Sequence, residues 1–384
     1  MHVGIDASNL RQGGGVTHLS RLLSSAEPGK SGIDKISVWA CRATAALLPA
    51  RPWLEICSPA WVESGLVGRT LSQQRRLPRE LLDKGCDVLF SPGGTLPANV
   101  PIPTVTMSQN MLPFEPREAA RFGVLTAMWL KMQMLRQSQG RSFKRADGVI
   151  FLTQYAMDTV HRALGSLSGR QALVPHGIER RFLYNPRPQR SRADCNFEAP
   201  FRFLYVSIAM PYKHQIAVAH AVSNLRNRGM PVEIQFVGAP WGSYGRRLRM
   251  ELDKLDVAGN FLHWSDELPF EQLHEVYLKA DAFVFASSCE NLPNIMIEAM
   301  AAGLPIASSS LGPMPEVLGD AGVYFSPDDI ASIACALEQL MNDPALRARM
   351  AELAFAKASE YSWEKCADDT FHFLAETVRA RVSQ

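Results

Sequence analysis

Two glutamates, Glu290 and Glu298, stand eight residues apart in the stretch SCENLPNIMIEAMAAG (288–303). Paired carboxylates can act as acid and base in hydrolysis, ligate a metal ion, grip the hydroxyl groups of a polar ligand, or be ordinary solvated charge. Spacing narrows the choice. On a helix, eight residues separate two side chains by about 12 Å, too far for one metal ion or for the roughly 5–9.5 Å of paired glycosidase carboxylates. The preceding run AFVFAS (282–287) reads as a strand, and SCENLPN as the turn that leads into a helix. Asn291 or Asn294 is the expected cap, Pro293 suits the first turn because it has no N–H to lose, and Gly303 is the expected stop. The N–H groups of 292–295 then point outward with the helix dipole behind them, a place for an anion such as a diphosphate. Two carboxylates flanking that turn can hold hydroxyls at opposite ends of one elongated ligand. The plainer alternative is a pair of solvated glutamates around a well-capped helix.

Other residues could serve the same chemistry. Lys213, in MPYKH, follows a strand and offers a positive charge at a strand-to-helix turn, where a surface lysine is the simpler reading. Gly13, Gly14 and Gly15 follow the first strand, so backbone can approach a phosphate or sugar closely. They do not make a GxGxxG, and a flexible turn is the alternative. His176, in VPHGI, is a ligand contact or a turn histidine. Asp266 and Glu267 are explained by helix N-terminal charge alone. The chain has no Asp-x-Asp and no metal-spaced His/Asp/Glu group, so no metal or other cofactor is implied. Its seven cysteines are scattered and never spaced CxxC, which suits reduced thiols and a cytoplasmic location rather than a disulfide framework or structural zinc.

The elements that would position these residues alternate, strand then helix, in two series. Strands are expected at 2–7, 36–40, 87–91, 103–107 and 148–152, with a long helical pattern from Arg117 to Ala146. The rhythm restarts at 202–207, 232–238, 260–264, 282–287 and 304–309. This is the pattern of α/β doubly wound parallel sheets. At 384 residues the chain exceeds the usual size of one core. The expected division is a Rossmann-like domain at 1–184, a proline- and charge-rich linker at 185–200, and a second such domain at 201–362. The helical 363–384 is expected to pack back on the first. Sites in open α/β sheets lie beyond the carboxyl ends of the strands.

The net charge of +2 conceals an asymmetry. Residues 1–180 carry 21 Lys+Arg against 13 Asp+Glu, and 181–384 carry 19 against 25. A basic first half attracts an anionic partner. Its spread, without aromatic interleaving or a nucleic-acid module, argues against nucleic acid. Leu125, Met128, Met132 and Leu135 form a helical stripe beside Lys131, Arg136, Arg141, Lys144 and Arg145. The stripe reads as core or, with RTLSQQRRLPR (69–79), as a basic amphipathic surface for anionic lipid at the inner membrane face. No segment has the ~20 apolar residues of a bilayer span, and no secretory leader is read at the N-terminus.

Taken in order, DASNLRQGGGVTHLSRLL, FKRADGVIFLTQYAMD, LVPHGIERRF, YVSIAMPYKH, ENLPNIMIE with AMAAGLPIASS, PEVLGDAGVYFSPDD and YSWEKCA resemble glycosyltransferase family 4. These are retaining enzymes of the GT-B fold, in which two Rossmann-like domains face each other across a cleft. The resemblance spans nearly the whole chain. It implies that Glu290 touches the donor sugar, Glu298 the ribose and Lys213 the donor phosphates, with Glu290 and Lys213 in catalytic roles. Asn291, Leu292, Pro293 and Asn294 would line the diphosphate or sugar, and Gly14 and Gly15 the donor phosphate or the acceptor. Main-chain groups near Ser265 and Leu268 would hold the nucleotide base. Gln109 replaces a histidine common near the reacting sugar, and being neutral it cannot act as a base. Many members carry an arginine five residues before the lysine, where this chain has Ile208.

The resemblance implies transfer of a sugar, mannose or a related hexose, from a nucleotide-diphosphate sugar to a glycan or lipid-linked glycan. The setting is O-antigen, lipopolysaccharide or exopolysaccharide synthesis. The second domain would bind the donor and the first the acceptor. The alternatives are another GT-B enzyme, such as a sugar-nucleotide epimerase, and a catalytically silent nucleotide-sugar-binding subunit.

Overall fold

A computed structural model describes all residues except Gln12, Glu267, Phe270, Glu271, Ser383 and Gln384. The chain divides into two compact units, one of 1–119, 125–177 and 362–384, the other of 120–124 and 178–361.

The first unit is built on seven parallel strands: β1 His2–Asp6, β2 Lys35–Trp39, β3 Leu54–Cys57, β4 Val88–Ser91, β5 Thr104–Met107, β6 Gly148–Phe151 and β7 Arg170–Leu173. Their order across the sheet is β3-β2-β1-β4-β5-β6-β7. Val3, Ile5, Val38, Leu89, Phe90, Val105 and Val149 are fully buried, because helices cover both faces of a parallel sheet. Each such side chain contributes about 1.5–3 kcal/mol of burial. The terminal helix Trp363–Val382 belongs to this unit, held by Arg170–Glu376 and Arg381–Asp147 ion pairs, both at 2.9 Å.

The second unit has six parallel strands: β8 Phe201–Val206, β9 Val232–Val237, β10 Leu262–Ser265, β11 Ala282–Phe285, β12 Ile306–Ser309 and β13 Gly322–Phe325. The order is β10-β9-β8-β11-β12-β13. Tyr205, Phe203, Phe283 and Phe285 form an aromatic centre on β8 and β11, each at most 1% exposed.

Several expectations are corrected. The long helical pattern 117–146 is two helices, Pro116–Ala120 and Ala127–Arg145. Gly123 (φ 94°) and Leu125 (φ 66°) take left-handed backbone that a continuous helix cannot hold. Leu125 is 73% exposed and lies outside the second helix, so of the apolar stripe only Met132 is fully in the core. Residues 185–200 pack within the second unit and do not bridge two units. Arg187 donates to the carbonyls of Leu278 and Ala280, and Arg190 pairs with Asp281 at 3.1 Å. The chain passes between the units at 177/178 and again at 361/362, besides the short excursion of 120–124. The edge strands β3, β7 and β13 were absent from the sequence reading.

Candidate active site

In the second sheet the strand order reverses between β8 and β11, with β9 and β10 to one side and β12 and β13 to the other. Ligands of open α/β sheets bind beyond the strand ends at such a point. Lys213 follows β8, Glu290 follows β11, and their side chains form an ion pair. Lys213 is 5% exposed, with its ammonium 5.2 Å from the Tyr212 ring centre and 5.3 Å from that of Phe285. The two loops are tied together locally. The Ser288 N–H donates to the Tyr212 carbonyl at 2.9 Å, and His214 Nε2 meets Ser288 Oγ at 2.9 Å. Tyr205 donates its hydroxyl to the Lys213 carbonyl. His214 takes left-handed backbone (φ 52°) to turn the chain into the helix Gln215–Asn227. Removing either partner of so buried a pair would strand the other's charge, which is costly.

Glu298 lies one turn inside the helix Asn294–Ala301, as its spacing predicts. Its carboxyl is 8% exposed and accepts the Tyr277 hydroxyl at 2.9 Å. Burial pushes its pKa up to about 7, against the opposing effect of that hydrogen bond. The cap differs from expectation. Pro293, rather than Asn291 or Asn294, occupies the N-cap position, and no side chain caps the helix. The Asn294 N–H turns back to the Leu292 carbonyl at 2.9 Å. Among the described residues this leaves the Leu292 and Ile295 N–H groups as the unspent donors of the expected anion turn.

Residues 189–357 match the family model for glycosyl transferases group 1. The match lies within the second unit and covers less than half of the chain. A stretch of 105 residues is 33% identical to the O-antigen chain mannosyltransferase B of Escherichia coli, covering 27% of this chain and 28% of that one. The chain spans about half or less of the length of such curated relatives. Among solved structures, sucrose-phosphate synthase from Thermosynechococcus elongatus superposes with a TM-score of 0.74 at 14% identity, over 100% of this chain and 99% of that one. Anabaena HepE in complex with UDP superposes at 0.70 and 16% identity, over 99% of each. These likenesses establish the fold, two Rossmann-like units of the GT-B kind.

Within the second unit, Ser265 closes β10, its carbonyl accepting the Gly238 N–H at 3.1 Å and its Oγ the Gln235 amide at 3.0 Å. Leu268 follows in a half-buried loop, and Glu267 lies outside the described residues. Asp266 is exposed and faces Arg249 at 3.6 Å, and among the described residues the following α-helix is Leu273–Lys279. Sequence reasoning missed the segment 120–124, which packs on this domain. Phe122 sits between Tyr212 and Trp241, at 6.1 and 5.2 Å, and Arg121 forks onto Asp328 at 3.1 and 2.9 Å. Asp328 also reaches His214 Nδ1 at 3.5 Å. The signal available was the glycine at 123 interrupting a helical run.

The first unit collects the remaining site residues. Gly13 is the N-cap of the helix Gly14–Ser24, so Gly14 and Gly15 open the helix itself. A Cβ on Gly15 would stand 2.9 Å from Leu10 Cδ2 and 3.2 Å from Gln109 Oε1, whereas Gly14 faces open space. Gly15 and Gln109 therefore line one cavity, and Gly14 does not. His176 is 6% exposed and stacks on His18 and Trp363, with ring centres 4.4 and 5.6 Å away, in a three-ring cluster whose other side, His18 to Trp363, is 5.8 Å.

Proposed function

We propose that the chain is a retaining glycosyltransferase that moves a hexose, mannose or a close relative, from a nucleotide-diphosphate sugar to a glycan or lipid-linked glycan. The observation that carries this reading is the buried Lys213–Glu290 pair at the order reversal of the group 1 domain. A lysine there stabilises the diphosphate as it departs, the main electrostatic task in breaking a glycosidic bond. The Leu292 and Ile295 N–H groups add uncharged donors at a helix N-terminus. Glu290 then exchanges its ion pair for sugar hydroxyls, and Glu298 accepts ribose hydroxyls at the other end of the ligand. In a front-face displacement the leaving phosphate takes the acceptor proton, which requires no enzyme nucleophile, no Gln109 base and no metal. The identity with an O-antigen mannosyltransferase supports mannose and surface-polysaccharide synthesis. The basic first unit supports work at the cytoplasmic face of a membrane.

The test is release of nucleoside diphosphate from GDP- and UDP-hexoses by the purified protein. Release that disappears in Glu290→Ala is expected, since water is a slow substitute for the acceptor. Release at the wild-type rate in that variant removes Glu290 from the site. Interconversion of sugar nucleotides without release would point to the epimerase alternative, and binding without turnover to the silent subunit.

A further inference from the structure

At the carboxyl ends of β1, β4 and β5, where the first sheet reverses its order, lies a cavity of about 620 Å³ lined wholly by the first unit. Its size is that of a small-molecule site, typically ~300–1,000 Å³. Arg69 and Gln73, one turn apart on the helix Leu66–Arg75, form one wall, and Lys131 and Gln139, on the helix Ala127–Arg145, form another. Gln109 and Asn110, after β5, close the floor. No carboxylate lines it.

Two features make this a built site rather than a gap. Gln139 is 6% exposed, and its Oε1 is fully buried without a hydrogen-bond partner. An orphaned buried acceptor costs about 1–3 kcal/mol, a cost that the amide removes by turning that oxygen toward a ligand hydroxyl in the cavity. Arg69 is 8% exposed, yet its guanidinium meets only neutral acceptors, Asn9 Oδ1 and the Ser64 carbonyl, both at 3.0 Å. It makes no ion pair among the described residues. Arg11 lies close enough to oppose its charge, donates to the Val62 carbonyl, and keeps a buried Nε without an acceptor. The nearby carboxyl, Asp6, is 3% exposed and already engaged by the Ser8 N–H and the Gln73 amide. Gln73 thereby spends its donor inward and keeps its carbonyl for the cavity.

We propose that this cavity binds the acceptor and selects an acidic sugar, its ring hydroxyls held by the Gln73, Gln109, Asn110 and Gln139 amides and its carboxylate or phosphate by Arg69, with Lys131 at the mouth. The proposal rests on the glycosyltransferase reading for the word acceptor. The cavity's preference for an anionic sugar stands apart from it.

The test is calorimetric binding to the full chain of methyl mannoside, glucuronate, mannose 6-phosphate and inorganic phosphate, with GDP and UDP as a separate arm. One or both charged sugars should bind at least tenfold tighter than the neutral one, with a preference that falls as salt rises. Arg69→Gln should erase the preference. Because Arg69 also braces Asn9 and Ser64, Lys131→Glu, an exposed position, is the second variant and should weaken charged sugars alone. The glucuronate and mannose 6-phosphate arms tell a carboxylate ligand from a phosphate one. Equal affinity for charged and neutral sugars overturns the proposal, as does binding of inorganic phosphate as tightly as the sugar phosphate, or a preference unchanged in both variants. If GDP and UDP fail to bind while the charged-sugar preference holds, the glycosyltransferase reading falls and the cavity assignment survives.

Discussion

At the scale of single residues, the proposed donor site holds two acids, one buried and one half-buried, with different partners. Glu298 has its pKa raised to about 7 by burial, while an unfolded chain holds glutamate near ~4.3. Between those values the folded state binds more protons than the unfolded one, so the contribution of this group to stability falls as pH rises from about 4 to 7 and stays low above. Glu298→Gln should therefore be more stable than the wild type at pH 8, by on the order of 2–3 kcal/mol, and no more stable at pH 4. Denaturant melts at the two pH values check this, and an equal difference at both would contradict it. In the proposed role the same carboxylate must be ionised to accept two ribose hydroxyls, so nucleoside diphosphate affinity should weaken as pH falls through about 7, and that trend should vanish in Glu298→Gln. The Lys213–Glu290 pair makes a different prediction. Glu290→Gln strands a buried ammonium and should cost about 3–5 kcal/mol, whereas Lys213→Met with Glu290→Leu should recover much of it without recovering activity. A double-mutant cycle that shows simple additivity would mean the two side chains do not depend on each other in the free protein.

At the scale of elements, close approaches of backbone decide what can change. A Cβ on Gly177 would run into the backbone of Ser362 and Trp363. Backbone cannot yield as a side-chain tip can, so Gly177→Ala should lose about 3 kcal/mol or more. Gly29 faces open space, and Gly29→Ala should be near neutral by the same melts. The interior strands were legible because a parallel strand buried on both faces reads as one apolar run: GVIF of β6 and AFVF of β11 are fully buried. LEIC of β3 and RQAL of β7 have no fully buried residue, and GVYF of β13 has one, so these sheet edges lacked that signal. The helix break at Gly123 was hidden because the polar-apolar pattern on either side of it is helical. The site was legible one turn at a time. Lys213 and Glu290 each follow a strand, but 77 residues separate them, and only the sheet order brings them together. Arg69 read only as one charge of a basic surface stretch and Gln139 as an ordinary helical residue, since neither neighbours a turn or motif.

At the scale of the molecule, the basic first half and the exposed apolar side chains of its helices converge on one cavity. On the helix Leu66–Arg75, Leu66, Val67 and Leu71 are 69%, 74% and 52% exposed, with Arg75, Arg76 and Arg79 following. On the helix Ala127–Arg145, Leu130 and Met134 are 47% and 65% exposed, among Lys131, Arg136 and Arg141. No helix among the described residues is long and apolar enough to cross a membrane. Exposed leucines beside basic residues are the composition of a surface that rests on anionic lipid, apolar groups entering the interface and cations meeting the headgroups. Leu66 and Lys131, one from each helix, also line the acidic-sugar cavity, so a lipid that held the two helices would present its own headgroup at the cavity mouth. A lipid-linked acidic acceptor satisfies both surfaces with one molecule. The protein should therefore sediment with vesicles rich in anionic lipid at low salt and be released by high salt, each basic contact being worth about 1 kcal/mol. Val67→Glu with Leu71→Glu, both outside the cavity lining, should release it at low salt while leaving soluble charged sugars bound as before. Equal sedimentation with neutral vesicles would show that the charge plays no part. Binding that survives the paired substitution would move the contact away from the cavity and detach the acceptor from the membrane.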